Sequence, residues 1–240
     1  MVKRIKMVIL DDNEPGPGLL NDWGWSIYIE ADDTRLLFDA DTSPRIIEYN
    51  ARRLGIDLSK LDFAVLSHHH HDHYGGFEYV GRVSPGLRIY VPPGDTRHLH
   101  AMGLSPLIVE EDIEVSPGIW IIGPLEAGAW PLYEQALAVD VEELGLIVVV
   151  GCSHPGADAL AERALKVTGR RIYWVIGGYH EPPLSVLENL ARIASRLSPA
   201  HCSGDYAKNY VGTHMPDKYV AVKTGTIVEA SSKGLWILRE

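Results

Sequence analysis

Apolar and polar positions change period repeatedly along this 240-residue chain. Residues 2–10 are rich in Val, Ile and Met and partly alternate, which predicts a strand broken by Asn13-Glu14-Pro15-Gly16-Pro17-Gly18. Residues 25–30 and 35–38 predict a hairpin around Ala31-Asp32-Asp33-Thr34. Ser43-Pro44, then Ile46, Ile47, Asn50 and Leu54 at helical spacing, then Gly55, predict a helix with a start cap, a first-turn proline and a stop. Residues 61–66 read as a short buried strand. From 81 to 131, Pro and Gly punctuate short strands around 87–91, 113–115 and 119–122. Strands follow at 136–141 and 144–150, the second apolar on both faces and therefore central. The rhythm then alternates: a helix over 157–167, a strand over 172–176, an amphipathic helix over 184–197 and a brief strand over 199–202. Residues 219–222, 226–228 and 235–238 return to strands. Hairpins with helices inserted in both halves predict two sheets packed together with helices outside. With no repeat period or polar linker, residues 1–240 read as one domain.

Composition narrows the function classes. Lys plus Arg number 22 against 32 Asp plus Glu, a net charge of −10, which argues against nucleic-acid or anionic-membrane partners because both need surplus cationic side chains. With 46% hydrophobic and 22% charged residues the chain is globular in composition. Two cysteines, Cys152 and Cys202, without a C-x-x-C pair, suit a reducing interior. The apolar stretch after the basic residues 1–6 ends at Asp11-Asp12, too short for a signal-peptide core, and the run 144–152 is under half a membrane span. The expectation is a cytoplasmic protein. A single glutamine and 15 prolines suit a thermophilic source.

The charge count leaves out eleven histidines, five of them between His68 and His73. Ser67-His68-His69-His70-His71-Asp72-His73 lies between a buried strand and Tyr74-Gly75-Gly76. Imidazole and carboxylate together suit zinc, manganese or iron, and a strand end aims alternate side chains the same way. Asp72-His73 fixes the frame: His68 and His70 project together, and His69 and His71 are spacers. Downstream strands over 144–150, 172–176 and 199–200 each end near one histidine, His154, His180 and His201, as a sheet edge builds a metal site. Taken singly, each of these also suits a core or surface histidine.

The H-x-H-x-D-H run after an apolar strand resembles the signature of the metallo-β-lactamase superfamily. Leu36-Leu37-Phe38-Asp39-Ala40-Asp41 is similar to that superfamily's LFDtG segment. Gly151-Cys152-Ser153-His154, Ile176-Gly177-Gly178-Tyr179-His180 and His201-Cys202-Ser203-Gly204 resemble the branch containing ribofuranosylaminobenzene phosphate synthases of methanopterin biosynthesis. The resemblance implies an α/β (α+β) four-layer αββα sandwich with a metal site at one sheet edge. It implies one or two divalent ions, zinc first and manganese or iron as alternatives. His68, His70 and His154 would hold one ion, and Asp72, His73 and His201 the second. Asp39 would orient a ligand imidazole. The superfamily's late bridging aspartate is missing from the GCSH and IGGYH segments, which leaves the second ion's hold and the role of His180, ligand or substrate contact, open.

The implied chemistry is hydrolysis of a small substrate, phosphorylated in one version, by a metal-bound hydroxide, with Asp72 and His180 as catalytic residues. The alternatives are a pterin-type C–C bond-forming synthase and a non-catalytic metal-binding protein; a nuclease fits the −10 charge poorly. Lys208 is a candidate anion contact. Cys152 and Cys202 adjoin the histidines as soft ligands or buried fillers. Trp23, Trp25 and Trp130 are candidate pocket walls. The expected partner is a small molecule, without nucleic acid or membrane, and an oligomer is compatible with all of this.

Overall fold

The computed structural model describes residues 1–128 and 132–239, so Trp130 lies outside the described residues. The first half runs β1 (Arg4–Asp11), β2 (Ser26–Ala31), β3 (Thr34–Phe38), α1 (Pro44–Arg53), β4 (Phe63–Val65), α2 (His71–Tyr74), α3 (Phe77–Val83), β5 (Arg88–Val91), α4 (Arg97–Ala101) and β6 (Ser105–Ile108). The second runs β7 (Ile113–Ser116), β8 (Ile119–Ala127), β9 (Leu132–Val141), β10 (Gly145–Val150), α5 (Ala157–Thr168), β11 (Ile172–Gly178), α6 (Leu184–Ile193), β12 (Ala194–Ala200) and α7 (Gly204–His214). The hairpin β13 (Ile227–Ser231) and β14 (Gly234–Arg239) then returns to the first sheet, whose order is β14-β13-β1-β2-β3-β4-β5-β6. The second sheet is β12-β11-β10-β9-β8-β7.

Alternation along the strands makes the layers. Ile5, Met7 and Ile9 of β1 pack with Ile147 and Val149 of β10 and Trp174 and Ile176 of β11 in the core between the sheets. Val8 and Leu10 face the other way, into a core with Ile47 of α1, Val80 of α3 and Leu99 of α4. Leu146, Val148 and Val150 pack against Leu160 of α5, Leu187 of α6 and Val211 of α7. The result is a four-layer αββα sandwich. β10 is apolar on both faces because each of its faces has a layer to cover.

Three local expectations are corrected. The second amphipathic helix stops at Ile193, and 194–200 is strand: Ala194 turns extended (φ −117°, ψ 147°) and the segment pairs in parallel with β11 from Ile172↔Ala194 to Gly178↔Ala200. A row of backbone hydrogen bonds on the open sheet edge outcompetes one more helical turn. Pro199 is tolerated there because β12 is the outermost strand. Residues 201–203 are a 3-10 turn, and 219–222 run beside β12 through the single bridge Leu197↔Tyr219. The pattern also left α4, β6 and α7 unread. α7 buries only Ala207 and Val211, too thin an apolar stripe to register as a period.

What matters for function is where the strands end. β3, β4 and β5 pair in parallel, as do β10, β11 and β12. Their C-terminal ends lead into Asp39, the histidine run, Cys152 to His154, His180 and His201. Parallel strands that end together make a crevice at their carboxyl ends, a common ligand position in α/β folds.

Candidate metal centre

Three imidazoles converge first. His68 Nε2 lies 3.0 Å from His70 Nδ1, which lies 3.3 Å from His154 Nε2. Their tautomers follow from what holds the far side of the rings. Ser67 Oγ–H donates to Asp39 Oδ2 (2.7 Å), so it accepts from His68 Nδ1–H (2.9 Å), and His68 Nε2 turns a lone pair inward. Burial, then neighbouring imidazoles, pushes His68 well down and His154 down to about 4. Burial also lowers His70. At neutral pH these are neutral ligands crowding lone pairs together, an arrangement a cation relieves. Nitrogens about 3.3 Å apart are what tetrahedral zinc with bonds of about 2.0–2.1 Å requires.

A second set lies alongside. Asp72, His73, Cys152 and His201 place one ligand atom each within 4.8 Å of one another, and Cys152 also falls in such a set with His154 and His180. His73 Nδ1–H donates to Asp39 Oδ2 (2.7 Å), leaving its Nε2 3.2 Å from Cys152 Sγ and 3.6 Å from Asp72 Oδ2. His201 Nδ1–H donates to Asn13 Oδ1 (3.0 Å), and its buried Nε2 makes no hydrogen bond among the described residues, though Asp72 Oδ2 stands 3.4 Å away. A buried, unpartnered nitrogen facing a carboxylate is a ligand position wanting an ion, so nitrogen, oxygen and sulfur donors here fit a divalent metal.

Electrostatics differ between the sets. Burial depresses His73, but the Asp39 carboxylate and its hydrogen bond, with Asp72 and Glu134, outweigh it and push His73 up to about 9. Burial raises Asp72, yet His201 and His73 hold it well below the usual carboxylate range. The thiols form a hydrogen-bonded pair that raises Cys152 and lowers Cys202, and the Cys202 hydrogen bond also raises His180. Asp11, beneath, is pushed up to about 10 by burial and by Asp41, so this pair holds a proton at neutral pH.

The backbone carries strain here. Asp39, Asp41, Ser153, His180, Glu181 and His201 all have positive φ, between 43° and 64°, a conformation non-glycine residues adopt only where the surroundings insist. The surroundings are identifiable. Glu134, fully buried on β9 and pushed up to about 7 by that burial, accepts Ser153 N–H (2.6 Å) and His154 N–H (2.7 Å). Asp12 Oδ1 accepts His201 N–H (2.6 Å).

The structure thus gathers His68, His70, Asp72, His73, His154 and His201 at one edge, with His180 beside His154 at 4.3 Å between ring centroids. Asp39 lies beneath, bonded to His73. Trp23 donates Nε1–H to Asp72 Oδ2 (3.0 Å) and remains exposed, so it rims the site; Trp25 is buried in the core. Lys208 is paired with Glu14 (2.9 Å), which occupies the ammonium proposed for an anion. His69 bonds the Pro92 carbonyl (3.0 Å), consistent with a spacer. Sequence reasoning missed Ser67, Asn13 and Glu134. Glu134 carried one signal, a lone carboxylate entering an apolar strand.

Comparison with known proteins agrees with the fold. The family model of the metallo-beta-lactamase superfamily matches residues 24–165. The chain is similar to the 7,8-dihydropterin-6-methyl-4-(beta-D-ribofuranosyl)-aminobenzene-5'-phosphate synthase of Methanocaldococcus jannaschii, 26% identical over 86% of this chain and 89% of that one. Among solved structures, a metal-dependent hydrolase of the beta-lactamase superfamily superposes with a TM-score of 0.80 at 23% identity, covering 95% of this chain and 99% of the other. A diphosphatase of the PhnP family superposes with a TM-score of 0.63 at 17% identity over 99% and 100%.

Proposed function

This chain belongs to the metallo-beta-lactamase superfamily, and from that premise we propose that it is a metal-dependent hydrolase of a small, negatively charged substrate. The observation that carries the reading is the pair of ligand sets side by side at one sheet edge. His68, His70 and His154 would hold one divalent ion and Asp72, His73 and His201 a second, with zinc as the native metal and the cytoplasm of a heat-adapted organism as the setting. An ion held there lowers the pKa of water from 15.7 to about 7 and polarises a substrate oxygen.

The protein's own groups supply the rest. Asp72 is ionised and partly exposed, and with Trp23 Nε1–H on Oδ2 it is aimed to orient a nucleophilic water. His180, exposed and raised toward its protonated form by Cys202, donates to negative charge as it develops on the substrate. Ser67 and Asp39 hold the tautomers of His68 and His73, so neither ring need reorganise during turnover.

A second reading, a synthase forming a C–C bond on the same site, is supported by the identity with the archaeal synthase along most of both chains. The experiment that separates the two is a panel of phosphodiester, lactone and thioester reporters before and after chelation. Hydrolysis of one class, lost on chelation and restored by metal, is the expected result. A metal-loaded protein inert to all three gives way to the synthase reading, and one that also fails with pterin-type substrates to a non-catalytic metal-binding role.

A further inference from the structure

We propose that Cys152 is a thiolate ligand of the second metal, completing a set with Asp72, His73 and His201; this rests on the two-metal reading above. His73 Nδ1–H is committed to Asp39, so once an entering ion displaces the ring's second proton, it is the Nε2 facing Cys152 Sγ at 3.2 Å that presents the lone pair. The His201 Nε2 that shares this cluster is buried without a hydrogen-bond partner among the described residues, a second nitrogen directed at the same point. A carboxylate cannot arrive from the neighbouring strand end. A Cβ on Gly178, which closes β11, would meet the Gly151 carbonyl oxygen at 2.5 Å and Cys202 Sγ at 2.7 Å. The donor must come from the segment after β10, and Cys152 is the donor there that joins both Asp72, His73 and His201 and, separately, His154 and His180. Cys202 Sγ, 3.7 Å from the Cys152 carbonyl oxygen, belongs to neither set. On metal uptake the Cys152 S–H bond breaks, a sulfur–metal bond forms and the proton passes to solvent, with no change in oxidation state. A sulfur in the set favours zinc, cobalt or iron over manganese and magnesium.

The test is electronic absorption of the full chain loaded with two equivalents of cobalt(II). A thiolate-to-cobalt charge-transfer band in the near ultraviolet is expected with the wild type and with Cys202→Ser, and its loss with Cys152→Ser, which should bind one equivalent fewer. A wild type that binds two equivalents without the band overturns the role of Cys152 and leaves the metal reading intact. A band kept in Cys152→Ser does the same, while a chain that takes up no cobalt overturns both. Should Cys152→Ser fail to fold, X-ray absorption of zinc-loaded Cys202→Ser decides: a sulfur shell at about 2.3 Å supports the ligand, and nitrogen and oxygen alone overturn it.

Discussion

His73 carries a carboxylate on one ring nitrogen and the metal cluster on the other, and this sets a pH dependence. Held up to about 9, it is protonated at neutral pH in the metal-free protein, whereas His68 and His154 are neutral there. Metal entering the second set must displace that proton together with the Cys152 thiol proton; metal entering the first displaces none. Affinity at the second set should therefore rise with pH, by about a hundredfold per unit for the two protons released and by about tenfold per unit once His73 has titrated near 9, while the first set stays flat above about pH 7. In Asp39→Asn, which the positive φ of 55° at that position tolerates, His73 loses the charge that raises it. The change of slope should come at lower pH, with affinity down about 10–100-fold. Chelator competition from about pH 6 to 9 measures both, and second-set affinity that falls as pH rises would reject the scheme. The ligands were legible because His68 to His73 are contiguous and their spacing is itself the chemistry. Ser67, Asn13 and Glu134 were not, since each is an ordinary polar residue until folding brings it to a ring nitrogen or an amide.

At the scale of the elements, the site depends on β10 and β11 ending close together. Gly177, paired with Val150 and at φ 136°, permits this: a Cβ there would lie 2.0 Å from the Val150 carbonyl oxygen. Gly177→Ala should cost about 2–3 kcal/mol in backbone strain and displaced strand, which for a chain of this size is a fall in Tm of roughly 5–10 °C. Unfolding with and without chelator measures it, and an unchanged Tm would mean that the strand ends have room to part. Strands and helices with a full apolar face, such as β1, the β2–β3 hairpin, α1 and β10, could be read from the chain. α6 could not be bounded, because its amphipathic period runs on into β12 and only the neighbouring β11 decides where helix stops and sheet begins.

Over the whole molecule, the net charge of −10 bears on an anionic substrate. Long-range repulsion should slow its approach, and salt should relieve that repulsion, since charges farther apart than about 10 Å are largely screened at 0.1 M. For an anionic phosphodiester reporter, kcat/KM should rise several-fold as salt increases from about 0.01 to 0.15 M, with a neutral lactone unaffected. A fall for the anion would show instead that a locally positive approach outweighs the overall charge. The four-layer arrangement followed from the alternation of faces and from the resemblance. The strand order did not, because pairing between distant segments leaves no local trace.

One such pairing orders events in time. β1 is flanked by β2 on one side and by β13 on the other, Arg4 standing opposite Ser231, while Asp12 at its end bonds the amide of His201 and the hydroxyl of Thr224. An early strand that waits for a late one closes a loop of more than two hundred residues, which makes this a slow step. During synthesis the histidine run emerges long before Asp12 can reach His201. The second half of the metal centre is thus among the last things to form, and a growing chain carries exposed histidines with nothing yet built to choose which metal they take.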